Sequence, residues 1–187
     1  MRKTGLTALS AAALTQLASV QVINIPPETL PGEAYFFANP GVTVNLCCGE
    51  TIFPDAGGDA FTFNGATVNL NDNSASGFFT VDHFVEDVTY NVDGGKLVRA
   101  RFVGGTGQTT VNVLDGSVER GLYLRGNTTC AISGGDIGKV AGGQAAIIAE
   151  DDSSLEISGG AIDTFIIVKD DATFSMSGGT VAGALQI

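Results

Sequence analysis

Ile132-Ser133-Gly134-Gly135-Asp136-Ile137, Ile157-Ser158-Gly159-Gly160-Ala161-Ile162 and Met176-Ser177-Gly178-Gly179-Thr180-Val181 are three copies of one phrase. A degenerate copy, Val113-Leu114-Asp115-Gly116-Ser117-Val118, precedes them, and a looser one is Val92-Asp93-Gly94-Gly95-Lys96-Leu97. A phrase returning at this period marks a solenoid. Val113 to Ile132 and Ile157 to Met176 are each 19 residues, whereas Ile132 to Ile157 is 25. The surplus falls in Gly138-Lys139-Val140-Ala141-Gly142-Gly143-Gln144, which reads as a loop thrown out of one coil.

Aligned on the glycines, apolar residues sit two apart: Val111 and Val113, Cys130 and Ile132, Leu155 and Ile157, Phe174 and Met176. Asn112, Ala131, Glu156 and Ser175 alternate with them. Period two with one small or polar face is a strand. One apolar residue follows each glycine corner, then a second strand carrying Leu122 and Leu124, Ile147 and Ala149, or Ile166 and Val168. Polar turns close the coils: Arg125-Gly126-Asn127-Thr128, Glu150-Asp151-Asp152-Ser153 and Lys169-Asp170-Asp171-Ala172. A coil of this length cannot bury its apolar stripe alone, so coils must stack at about 4.8 Å per step. The reading is all-β: a single-stranded parallel β-helix over 41–187, clear from residue 88, with an irregular N-terminal cap over 21–40. Helix is ruled out by the recurring Gly-Gly pairs. An antiparallel sandwich leaves the residue-type matching between coils unexplained.

The chain has 187 residues, 44% of them hydrophobic, with 26 Gly and a formal net charge of −11. That suits one domain with a continuous core. The acidity argues against a phosphate-binding surface and against docking on anionic membranes. A neutral glycan, a surface protein or a cation is the kind of partner it fits. Arg2-Lys3 followed by an uncharged run from Leu6 to Val20 has the order of a secretory signal over 1–20, too short to span a bilayer comfortably. A cytosolic N-terminal helix is the rival reading. At the other end, Leu185 and Ile187 align with Ile166 and Val168, so the sequence stops mid-coil. Such an end reads as an incomplete chain or as a surface for end-to-end self-association.

The Ile-Ser-Gly-Gly-x-Val phrase resembles secreted bacterial β-helix repeats of autotransporter and filamentous-haemagglutinin-like adhesins. It is more similar still to exported Ser-Gly-Gly repeat proteins of planctomycete type, and Val22-Ile23-Asn24-Ile25-Pro26-Pro27 looks like their mature start. The resemblance covers Val88 to Ile187 well and Gly41 to Asp87 loosely. It implies export and a right-handed β-helix, and it brings no catalytic residues.

Candidate chemistry is sparse. Asp151-Asp152 and Asp170-Asp171 stack with Asn127 in their column, and a Ca²⁺ ion with oxygen ligands would relieve their repulsion. The plainer reading makes them turn residues bonding their own backbone. Glu150 over Lys169, near Arg125, reads as a solvated ion pair. Arg99, Arg101, Glu119, Arg120, Asp136 and Asp163 form the set from which a polysaccharide lyase or glycosidase face would be drawn. His83 beside Asp82 is the only histidine, and no nucleophile elbow accompanies it. Cys47, Cys48 and Cys130 are spaced wrongly for zinc, and Cys130 falls on a core position. Tyr123, Ile148 and Ile167 stack on the outer face of the second strand, an apolar stripe for a partner or a sugar ring. The sequence therefore points to an exported, non-enzymatic structural or adhesive surface module, with a carbohydrate-active enzyme as the alternative.

Overall fold

The computed structural model describes residues 22–25, 35–37, 41–46, 51–52, 61–71, 75–76, 84–97, 100–138 and 146–187. These residues form a β-solenoid and contain no helix. Strand pairing is parallel throughout the three sheets, and an isolated Asn71–Gly94 bridge is the antiparallel contact among them.

The repeated phrase stacks on itself. Val113 pairs with Ile132, Ile132 with Ile157, and Ile157 with Met176. One rung shows the pattern. Ser154–Ile157 runs into a glycine corner, Ala161–Ile162 forms a short strand, and Phe165–Val168 forms the third side. Alternate side chains point inward: Leu155, Ile157, Ile162, Ile166 and Val168 are all buried. They join one continuous core that reaches back to Val42. Burying each such side chain contributes about 1.5–3 kcal/mol. The 25-residue spacing is resolved as an insert between Ile137 and Ala146. Asp136–Ile137 still pairs with Ala161–Ile162, and Ala146–Ala149 is back in register with Phe165–Val168.

The two glycines of the phrase do different things. A Cβ on the first would lie 2.1 Å from the Leu114 carbonyl oxygen at Gly134, and 2.1 Å from that of Ser133 at Gly159. The corner of each rung thus rests on the backbone below, with no room for a side chain. The second glycine turns the chain in the left-handed region, with φ of 80° at Gly135, 82° at Gly160 and 81° at Gly179. Its carbonyl accepts the amide of the rung above, Ala161 N to Gly135 O at 2.9 Å and Thr180 N to Gly160 O at 3.0 Å.

The parallel stack begins earlier than Gly41. Val22–Ile25 pairs residue for residue with Thr43–Leu46, and Tyr35–Phe37 pairs with Phe61–Asn64. Val22-Ile23-Asn24-Ile25 carries the same alternation as Thr43-Val44-Asn45-Leu46, which is why it takes a place in the ladder. In this half the core is filled by Val44, Val68, Leu70, Tyr90 and Val92, with the Tyr90 and Phe102 rings edge to face at 5.4 Å. At the far end the inward columns become exposed: Met176 is 43% and Leu185 48% accessible. Residues 1–20, read above as a secretory signal, and Arg99, His83 with Asp82, and Cys47 with Cys48 lie outside the described residues.

The two constraints, core column and corner, are separable by mutation. Ile132→Ala removes a wholly buried side chain and is expected to cost about 2–5 kcal/mol. Gly159→Ala is expected to lower the thermal midpoint clearly, because the added methyl meets backbone. Ser175→Ala, at an exposed position between two column residues, is expected to stay within about 0.5 kcal/mol of the parent. Thermal denaturation followed by circular dichroism measures all three.

Candidate functional site

The third side of the solenoid carries the outward column expected for Tyr123, Ile148 and Ile167. Tyr123 pairs with Ile148, Ile148 with Ile167, and the column continues to Arg101 below and Gln186 above. All three apolar members are half-buried rather than exposed. Among the described residues, the exposed large apolar side chain that alternation turns outward on this side is Phe165, at 54%. Phe165 follows from alternation: Thr164 and Ile166 point inward and are buried, so Asp163, Phe165 and Ile167 share the outer surface.

Around the corner from Phe165 lies an open groove of about 250 Å³, lined by Asp136, Ala161, Asp163, Thr180 and Ala182 among others. Asp136, Ala161 and Thr180 form one in-register column. The small side chain of Ala161 leaves the space between the rungs open. Two members of the acidic and basic set thus meet in one groove, and the other described members do not join them. Glu119 is ion-paired to Lys96. Arg101 stands in the Tyr123 column, and Arg120 is not part of the groove lining.

The acidic turns have a conformational explanation. Asp151 and Asp170 both have φ of 57°, and Gly126, at the same place one rung down, has φ of 56°. Each turn needs one left-handed residue, and aspartate tolerates that region better than most residues with a side chain. The expected stacking over Lys169 does occur, but the ion pair of Glu150 is with Arg125, at 2.7 Å, and Asp151 lies 3.5 Å from the same guanidinium. Asn127 donates from Nδ2 to the Gly107 carbonyl at 3.2 Å. Among the described residues no three His, Cys, Asp or Glu side chains lie together in a group that could hold a metal ion. Asp151, Asp152, Asp170 and Asp171 are exposed turn residues: Asp151 and Asp170 set the backbone, and Asp151 adds to the Arg125 pairing.

Alignment placed Cys130 in the core, and there it is, fully buried with its thiol free. Burial pushes the thiol up to about 12, because the thiolate would be stripped of water.

One regular feature of the described surface was not found by reading the sequence. Thr43-Val44-Asn45, Thr67-Val68-Asn69, Thr89-Tyr90-Asn91 and Thr110-Val111-Asn112 repeat a Thr-apolar-Asn triplet, and the triplets stack in register. The triplet was the available signal, but its spacing drifts from rung to rung and no glycine pair marks it.

No family model, curated protein or solved structure matches the chain. Among the described residues no helix is long and apolar enough to cross a membrane.

The raised Cys130 value fixes a pH dependence. The folded chain holds this proton up to about pH 12, whereas the unfolded chain releases it near 9.0. The unfolded state binds fewer protons between those values, so stability is complete below pH 9.0 and falls as pH rises through the window. Denaturant midpoints measured across that range are expected to fall more steeply for the parent chain than for Cys130→Val. Native alkylation at neutral pH is expected to leave Cys130 unlabelled in peptide mapping.

Proposed function

We propose that the chain is an exported, secreted or cell-surface module with a structural and adhesive rather than catalytic role. Its working surface is the outer third side, where Tyr123, Ile148 and Ile167 stand in one column beside Phe165. The observation that carries this reading is the exposure of Phe165, 54%, next to an in-register apolar column on a rigid stack. An exposed aromatic face beside apolar side chains is suited to a sugar ring, whose C–H face packs against it while its hydroxyls meet Asp163 or water. A neutral glycan also avoids the repulsion that an anionic partner would meet at a net charge of −11.

The test is binding of the full chain to immobilised neutral polysaccharides. Phe165→Ala combined with Ile167→Ser is expected to weaken capture about tenfold, roughly 1.4 kcal/mol, at an unchanged thermal midpoint. Binding that ignores both substitutions, or no binding to any polysaccharide, would count against this surface.

One observation favours a second reading. Asp136 and Asp163 line the same open groove, and a pair of carboxylates can supply an acid and a base for glycosidic cleavage. In that case incubation with a polysaccharide panel releases oligosaccharides detectable by mass spectrometry, and Asp136→Asn or Asp163→Asn abolishes them. If no products appear, the adhesive reading stands.

A further inference from the structure

The long first side of the solenoid presents a regular uncharged array. Thr43, Thr67, Thr89, Thr110 and Thr129 form one in-register column. Two residues along each strand, Asn45, Asn69, Asn91 and Asn112 form a second, and Asn24 stands below them in backbone register. The intervening Val44, Val68, Tyr90 and Val111 are buried, so both columns face outward. The asparagines are locked to each other: Nδ2 of Asn69 donates to Oδ1 of Asn45 at 2.9 Å, Asn91 to Asn69 at 2.8 Å, and Asn112 to Asn91 at 2.8 Å. A ladder of this kind uses one donor and one acceptor site of each internal amide. It also fixes the amides in a common orientation. The array is therefore organised before it meets anything.

Its dimensions follow from β geometry. Neighbours in a column are about 4.8 Å apart, and the two columns are about 6.6 Å apart along the strand. The array continues through Thr129, whose Oγ1 accepts from Nε2 of Gln108 at 2.8 Å, while Ala131 takes the next asparagine place. A charge enters these columns only at Glu156, one rung further on. A chain with net charge −11 has thus kept six consecutive rungs, twelve sites of two columns, free of ionisable groups.

We propose that this face adsorbs to ice. The ligand that fits it is itself a rigid, uncharged, two-dimensional array of hydrogen-bond donors and acceptors. Ice presents equivalent oxygens at repeats close to the strand spacing in one direction and to the two-residue spacing in the other. A charged side chain would be held against a lattice whose waters cannot reorient around it, which accounts for the neutrality of the face. The threonine methyls add apolar area, and the hydroxyls and amides anchor water between them. Each contact is weak, but a rigid array makes them together at one ordering cost. A crystalline polysaccharide is the competing occupant, and it fits less well because no outward aromatic side chain stands in these two columns to pack on sugar rings.

The experiment is ice-affinity partition of the full chain, with crystal habit and recrystallisation followed in parallel. The parent is expected to enter the ice fraction and to give faceted crystals. Thr67→Tyr places a bulky ring in the middle of the array at a half-buried outward position. It is expected to reduce partition about tenfold, since one wedge lifts its neighbours from the lattice. Asn69→Leu interrupts the amide ladder and tests the same face without added bulk. Glu156→Gln, beyond the array, is expected to leave partition unchanged, and circular dichroism must show all three variants folded. Exclusion of the parent from ice, retention by Thr67→Tyr and Asn69→Leu, or capture by cellulose or chitin through this face without ice partition would each overturn the proposal. None of these outcomes bears on the Phe165 surface, which lies on another side of the solenoid.

Discussion

The structure depends on one close approach. At each glycine corner the backbone of a rung rests on the backbone of the rung beneath, so nearly that a methyl group at Gly134 or Gly159 would collide with a carbonyl oxygen. This contact sets the register, because a slip of one residue would put a side chain into the corner and turn the inward columns outward. The surface features of the second half inherit that register. The Tyr123 column, the Asp136–Asp163 groove and the asparagine ladder all arise from residues that chance sequence spacing would scatter and stacking brings together.

The second half of the fold was legible in the sequence because its corners are spelled out. Wherever Ser-Gly-Gly recurs, the following apolar residue and the second strand land where the alignment puts them, including the return to register after the insert. The first half was less legible. Its rungs are of unequal length, and they share an outward Thr-x-Asn triplet instead of an inward corner phrase. A search anchored on glycine passes over Thr43-Val44-Asn45 and Val22-Ile23-Asn24-Ile25 alike. The side chains that tie this half together are hydrogen-bonded amides on the surface, which leave no trace in hydrophobic periodicity.

The candidate surface was legible in part. Alignment placed Tyr123, Ile148 and Ile167 in one column, but not how far each is covered. It passed over Phe165, which is exposed because Thr164 and Ile166 turn inward on either side of it. It placed Asp136 and Asp163 in the same set as Glu119 and Arg101, although only the first two share a groove. Separation across a corner depends on the turn angle and on what fills the space between, here a single alanine, and neither is written as a spacing. For the acidic turns two readings share one periodicity. Carboxylates recurring at one period suggest a ligand set, yet the recurring requirement is a left-handed backbone that Gly126 meets equally well.

The measurement that tests the account most directly is the register of the rungs. Cysteine pairs are introduced at outward positions of a chain whose native cysteines are replaced, and linked with a short bifunctional thiol reagent. Ala131 and Glu156 are direct neighbours, as are Glu156 and Ser175, at about 4.8 Å, whereas Ala131 and Ser175 are two rungs and about 9.6 Å apart. The parallel stack requires efficient intramolecular linkage of the 131/156 and 156/175 pairs and little linkage of 131/175. Linkage of 131/175 in preference to the other two would place those strands side by side, and the solenoid account would be wrong.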